Sequence, residues 1–503
     1  MSDTEPQHQH QHEPELSRAE VRTRASAGIF FRTSSGILTL LIGFFGNLVL
    51  ARLLTPKDFG IVAIGATVTL VASALADGGL ASGLIRRADA PTRDELRTLS
   101  GIQLAFTLPI SALGALLAAQ FGTAGLVTAI MLCSVPLSAF QAPGRVILNR
   151  RLLYSRVAMV EITASATYYA WAIVGAALGY GVWAMATATV ARAVVASVAF
   201  AVGSPFGFTI PTLHRAREFG EIVRFGLKFQ SGWITVVARE QILNAMTAVV
   251  GGVSTLGLWS LARRLIELPT TLVDSINTVT FPTMSHLLFR EDDPRPLIEK
   301  TTRYSAITLA IVLSAFAASS IGLVPFAFGE PWADAAWAIP PACLGLAFAA
   351  PASAGATGYL FASGVPGRYV WITVIYSAVW IVTSAALLPF VGVAALGIGW
   401  IAGGLVEASL LERVVHELSQ ARMLAQSAWP IVSGGLGGLA GLGTALSLSN
   451  AFVQGLAGAA VATVVTIAML ALTCRADLLD VVRTLTGTMR DASRVGLARG
   501  ESA

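Results

Sequence analysis

The chain is 503 residues long, 54% hydrophobic and 13% charged, whereas about a quarter of an ordinary soluble domain is charged. That composition excludes a soluble protein, and the net charge of +5 reflects where loops lie rather than nucleic acid as a partner. Apolar runs recur that are long enough to carry a helix across about 30 Å of hydrocarbon, and runs of that length satisfy their backbone in lipid as helices.

The first fifteen residues, MSDTEPQHQHQHEPE, are polar and contain no apolar stretch, so they are not a signal peptide. Residues 1–28 are expected to be a disordered cytoplasmic tail. His8, His10 and His12 have no acidic or cysteine partner at ligand spacing, and no metal is expected there. About fourteen spans follow, near 34–54, 59–83, 98–119, 124–144, 157–178, 182–202, 229–250, 256–283, 304–326, 335–362, 369–388, 392–412, 429–447 and 452–473.

The connections alternate in charge. One side carries clusters such as Arg86, Arg87, Arg93 and Arg97, then Arg145, Arg150, Arg151 and Arg156, and later Arg290, Arg295, Lys300 and Arg303; on the other side the basic groups are Arg52 and Lys57. Arginine-rich loops stay in the cytoplasm, so both termini are expected inside the inner cell membrane. The outer turn RLLTPKDFG, residues 52–60, then reads as a helix start: Thr55 as cap, Pro56 in the first turn, Asp58 reaching back. A helix start does not account for Arg52.

An ungapped offset of 197 aligns Asn47 with Asn244, Phe59-Gly60-Ile61 with Leu256-Gly257-Leu258, Asp77 with Asp274 and Arg93-Asp94-Glu95 with Arg290-Glu291-Asp292. Six spans separate the copies, which makes them parallel repeats. The expected plan is an all-α polytopic membrane protein with two pseudo-symmetric six-helix lobes, 29–203 and 229–415, joined by a cytoplasmic linker at 204–228. Two further helices occupy 416–475, and 476–503 form an amphipathic cytoplasmic tail whose arginines face anionic headgroups. Cys133, Cys343 and Cys474 lie in or at the end of apolar runs and read as packing residues.

A charge at mid-membrane costs from about 2.5 to more than 10 kcal/mol, so ionisable residues inside spans are functional candidates. They are Arg192 in the sixth span, Arg239 and Glu240 in the seventh, and a stripe in the eighth formed by Arg263, Glu267, Thr270, Asp274 and Asn277, with Arg264 about 100° away and Pro269 as a kink. Glu161 and Glu407 lie toward the cytoplasmic ends of their spans, where a carboxylate can snorkel. A bland reading stays open beside the functional one: Arg263 with Glu267, or Arg239 with Glu240 or Glu267, as pairs that neutralise themselves. The arginine excess suits an anionic headgroup, because guanidinium stays charged and grips phosphate bidentately.

The stretches LARLLTPKDFGIVAIGATVTLVASALADGGLASGLIRR and GLWSLARRLIELPTTLVDSINTVTFPTMSHL resemble the polysaccharide transporter branch of the multidrug/oligosaccharidyl-lipid/polysaccharide flippase superfamily, over about residues 30 to 475. The resemblance implies two lobes, alternating access and export of a lipid-linked oligosaccharide on a polyprenyl diphosphate carrier. It implies a cationic cavity, for which Arg192, Arg239, Arg263, Arg264 and Arg52 match in character. Glu240, Glu267 and Asp274 are the candidates for coupling to protons or sodium, and no cofactor is expected. The expected partners are the lipid-linked glycan, membrane lipids and other proteins of surface-polysaccharide assembly. A drug or metabolite exporter of the same superfamily is the nearest alternative; a membrane glycan polymerase or ligase, which needs a sizeable outer loop, is an alternative of another class.

Overall fold

The computed structural model describes residues 18–77, 79–86, 91–214, 219–220, 237–481 and 483. The described residues are predominantly helical, without strands. Eleven helical segments are long and apolar enough to cross a membrane, and large apolar side chains such as Leu113, Leu116, Val198, Val382 and Val464 stand exposed on them. The expected eighth and thirteenth spans are helices too, but they fall short of that apolarity, and the expected seventh begins outside the described residues.

The chain divides into two units, Met1–Leu50 with Ile64–Ser231, and Ala51–Ala63 with Gly232–Ala503. The first holds most of α1 (Arg18–Leu53) and α2 (Pro56–Asp77), then α3 (Leu80–Arg86), α4 (Arg93–Ala118), α5 (Gly122–Leu132), α6 (Ser134–Arg150), α7 (Tyr154–Ala177) and α8 (Val182–Gly203). Helix α1 runs from Arg18, so part of the segment expected as a tail is helical; the Ala, Glu and Arg residues of its first turns are good helix formers. Residues 1–17, within the same expected tail, lie outside the described residues. The expected second span ends at Asp77, because Gly79 adopts φ +72° and turns the chain into the short α3.

Within the first unit, α7 packs on α8 and α6 lies against α4 and α8. Apolar clusters hold it around Leu96, Leu99, Val146 and Ile147, around Leu148, Val160, Ala164 and Phe200, and around Ala72, Leu132 and Val135. Polar closure is local: Thr92 and Glu95 form a reciprocal cap on α4, and Asn47 donates to Gly43 O and the Tyr169 hydroxyl. Arginines finish helix ends. Arg150 donates to Leu84 O and Ile85 O at the end of α3, and Arg156 to Gly203 O at the end of α8.

The second unit contains a helix over 237–246 (α9) that closes in a π-helical turn, Thr247–Gly251, followed by α10 (Val253–Phe289) and α11 (Arg295–Phe328). A 3-10 segment, Glu330–Ala338, leads into α12 (Ile339–Ala362), α13 (Pro366–Val391), α14 (Ala394–Ser419), α15 (Met423–Leu446) and α16 (Ala451–Thr473). Helix α14 packs on α12 and α13, while α11, α15 and α16 form a tight trio. The glycines of α15 are consumed by that trio: a Cβ on Gly437 would stand 2.7 Å from Ala462 O, and one on Gly441 2.4 Å from Gly458 O. A short helical stretch, 475–481, is fastened to α11 by Arg303–Asp477 at 3.0 Å and by Tyr304–Asp480.

The motif 52–60 lies in this second unit and is built into it. Thr55 and Asp58 cap α2 as a reciprocal box, with Thr55 N donating to Asp58 Oδ2 at 3.0 Å and Asp58 N to Thr55 Oγ1 at 3.3 Å. Arg52 directs Nε to Ala327 O at 2.7 Å and Nη2 to Phe326 O, at the C-terminal end of α11, where unpaired carbonyls and the helix dipole favour a cation. Trp332 Nε1 donates to Ala51 O at 2.8 Å, and the Trp332 and Phe59 rings meet edge-on at 4.8 Å. The starts of α2 and α10 then touch reciprocally. A Cβ on Gly60 would stand 1.8 Å from Val253 O, and one on Gly257 1.7 Å from Pro56 O. Gly60 and Gly257 are equivalent under the 197-residue offset, as are Pro56 and Val253, so this crossing has local twofold symmetry that follows the sequence repeat.

Gly60→Ala and Gly257→Ala are each expected to lower the thermal unfolding temperature sharply, by the equivalent of about 1–3 kcal/mol for overpacking. Gly443→Ala, at a helical site with no neighbour within 4 Å of the new methyl, should be neutral or stabilising by less than about 1 kcal/mol. Arg52→Gln is expected to cost about 1–2 kcal/mol through lost charge-assisted bonds to main-chain carbonyls, read by thermal unfolding of protein in detergent, with Arg52→Lys intermediate.

Candidate functional site

The charged residues buried among the helices of the second unit meet at the junction of α9, α10, α13 and α14. Arg239 on α9 binds its neighbour Glu240 through Nη2 and Oε1 at 2.9 Å. Arg263 on α10 approaches the other Glu240 oxygen through Nε at 3.6 Å, an ion pair rather than a hydrogen bond. One carboxylate thus serves two guanidinium groups.

Aromatic faces surround the cations. The Arg239 guanidinium lies 5.3 Å from the ring centres of both Tyr376 and Trp380 on α13, and that of Arg263 lies 5.5 Å from Trp400 on α14. Trp380 and Trp400 stack at 4.5 Å, and Trp380 Nε1 donates to Leu396 O at 2.8 Å. The platform is therefore fixed before any ligand arrives. Its tight packing explains Gly399 and Gly403, whose Cβ atoms would collide with the Trp380 and Tyr376 side chains.

The donors are not all used. Arg239 Nε and Arg263 Nη1 are buried without a hydrogen-bond partner, while the Arg263 side chain keeps 30% of its surface exposed. A guanidinium with a free N–H in a protected place, beside a carboxylate that is already shared, is suited to receive an anionic oxygen.

The other sequence candidates fall elsewhere. Arg264 is half-buried with Phe59 under its guanidinium at 5.8 Å. Glu267 is exposed and does not pair with Arg263; the cross-helix partner Glu240 takes that place. The Asp274 side chain lies outside the described residues. Arg52 has the α11 carbonyls of Phe326 and Ala327 as partners. Arg192 belongs to the first unit, where it is exposed on α8 without a hydrogen bond or ion pair among the described residues.

For Glu407 the sequence left snorkelling open. It does not snorkel: only 6% of it is exposed, on α14. Sequence reading also passed over Tyr376, Trp380 and Trp400. The signal was present as spacing, since Tyr376 and Trp380 are four apart and Trp400 and Glu407 seven apart, each pair on one helical face.

Comparison with known proteins fits this architecture. A family model described as polysaccharide biosynthesis protein matches residues 49–337. Succinoglycan biosynthesis transport protein ExoT of Rhizobium meliloti (strain 1021) is 26% identical over 57% of this chain and 59% of its own length. Lipopolysaccharide biosynthesis protein WzxC of Escherichia coli (strain K12) is 22% identical over 62% of this chain and 65% of its own. The chain thus spans less than two thirds of the length of either relative. In fold it is similar to the lipid II flippase MurJ in an inward closed conformation, with a TM-score of 0.65 and 14% identity over 90% of this chain and all of that one. It is also similar to an inward-facing multidrug resistance MATE transporter of the MOP superfamily, with a TM-score of 0.57 and 16% identity over 78% of this chain and 96% of that one. With more than half of its residues under one family model and its many apolar helices, the chain belongs to the polysaccharide biosynthesis protein family and is a multi-pass membrane protein.

Proposed function

We propose that the protein is a flippase that carries a lipid-linked glycan, built on a polyprenyl diphosphate, from the cytoplasmic to the outer leaflet by alternating access. The observation that carries this reading is the pairing of two arginines with one glutamate on α9 and α10, leaving a net positive charge and an unused Arg263 N–H. A diphosphate is the match for that chemistry: it is dianionic or more, offers paired oxygens, and accepts from a guanidinium in bidentate fashion. The names of the two relatives, a succinoglycan transport protein and a lipopolysaccharide biosynthesis protein, support a glycan cargo. A cationic drug is a poor match for the same place, since it would meet two arginines and a carboxylate that is already neutralised.

Each residue has a distinct part in this reading. Arg263 contacts the phosphate. Arg239, stacked on Tyr376 and Trp380, holds Glu240 so that the carboxylate does not fully occupy Arg263. Arg264 adds positive potential. Arg52 supports transport through the fold. Both termini face the cytoplasm, so each transport cycle starts from the side on which the arginine-rich loops lie.

Arg263→Gln is expected to cut transfer of a fluorescent polyprenyl-diphosphate glycan in proteoliposomes about tenfold to a hundredfold, the loss of one or two charge-assisted bonds, with normal protein levels. Arg263→Lys should retain part of the rate because it keeps the charge and loses the fork. Undiminished transfer by Arg263→Gln would overturn the assignment, and drug efflux without glycan transfer would favour the exporter. Reporter fusions after residues 54, 214 and 503 should read outside, inside and inside; an outside signal at 214 contradicts the orientation.

A further inference from the structure

The carboxylate between the two arginines makes two unequal bonds. Glu240 Oε1 accepts from Arg239 Nη2 at 2.9 Å, a hydrogen bond between neighbours on α9. Its Oε2 meets Arg263 Nε of α10 at 3.6 Å, too long for a hydrogen bond. Exposure follows the same order: 13% of the Arg239 side chain is open, 21% of Glu240 and 30% of Arg263. Two rings, Tyr376 and Trp380, lie against the Arg239 guanidinium, and Trp400 lies against that of Arg263. Arg239 is therefore the tight, closed end of the trio and Arg263 the loose, open end.

An incoming anion meets Arg263 first, where Nη1 is buried without a hydrogen-bond partner. The longer ion pair is the weaker of the two, so it is the one that yields to a phosphate oxygen. We propose that Glu240 is an exchangeable counter-ion: it neutralises Arg263 while the site is empty, gives that guanidinium up to the phosphate of the cargo, and takes it back on release. Glu240 stays bonded to Arg239 throughout. This rests on the reading of Arg263 as the phosphate contact and adds a positioning residue to it. One ion pair replaces another, and no covalent bond changes.

The physical reason lies in the empty state. A buried guanidinium left without its anion is strongly destabilising, and two that share one carboxylate repel each other once it is gone. With Glu240 in place Arg263 always has an anion beside it, so the site keeps its shape between cargoes. The same carboxylate competes with the phosphate and thereby helps the cargo to leave. A full hydrogen bond to both arginines would close the site, and a site with no carboxylate would bind and not let go. The unequal pair stands between these extremes.

Binding of radiolabelled farnesyl diphosphate to the full chain in detergent, read by scintillation proximity, tests this. Glu240→Gln removes the competitor and should tighten binding about tenfold, between the effects of exposed and of buried ion pairs. Dissociation should slow by a similar factor, and glycan transfer in proteoliposomes should slow with it. A Glu240 that merely braces the fold predicts the reverse, because unbraced arginines bind more weakly. Arg263→Gln should weaken binding about tenfold or more. In the double variant Glu240→Gln/Arg263→Gln the gain should vanish, because Glu240 acts through Arg263. A gain that persists there is an effect of net charge alone and overturns the proposal, as does unchanged or weaker binding by Glu240→Gln. If Glu240→Gln fails to fold, Glu240→Asp, which keeps the charge and shortens its reach to Arg263, should tighten binding about threefold; unchanged or weaker binding overturns the proposal here too. Weak binding by Arg263→Gln beside an unmoved Glu240 variant refutes the counter-ion and leaves the phosphate reading standing. Unaltered binding by Arg263→Gln refutes the phosphate reading and the counter-ion with it.

Discussion

A charge or a bare carbonyl inside hydrocarbon has to be answered by the protein itself, and this constraint organises both units. A guanidinium buried between helices has only protein groups to meet it, and at the helix ends near the membrane surface arginines are turned toward the last carbonyls. Arg150 completes α3, Arg156 completes α8 and Arg52 completes α11. The arginines that orient a membrane protein by their number thus also finish its helices by their geometry.

The same constraint shapes the site. Arg239 is surrounded by the faces of Tyr376 and Trp380 and by one oxygen of Glu240, while the other oxygen is shared with Arg263. Aromatic faces offer a cation negative potential without adding a counter-charge, so they hold the arginines in place and leave the positive excess intact. A second carboxylate in ordinary pairing would have erased that excess.

Close packing governs the remainder. Glycine at Gly60 and Gly257 lets α2 and α10 start against each other's carbonyls, and the glycines of α15 draw α11 and α16 into contact. In lipid, where apolar surfaces gain little by leaving their surroundings, such van der Waals contact is what holds helices together. The motif at 52–60 joins both devices in nine residues: a cap, an arginine on carbonyls and a glycine crossing.

The sequence by itself determined that the chain is a helical membrane protein, where most spans lie, and that Thr55, Pro56 and Asp58 start a helix. These follow from hydrophobic run length and local capping chemistry, which involve residues close in the chain. The offset of 197 aligns Gly60 with Gly257, but their close approach to each other's helix is a tertiary fact. Only the tertiary structure decided partners. The spacing of Arg263 and Glu267 suits an intrahelical pair, yet Arg263 turns to Glu240 on another helix. Arg52 meets backbone carbonyls some 270 residues away, which no side-chain pattern records. Glu407 lay toward a span end in the sequence but is buried, because α12 and α13 pack against α14. Periodicity states which face of a helix is polar; the neighbour that face meets depends on helix packing, and it is this neighbour that sets the charge of the site.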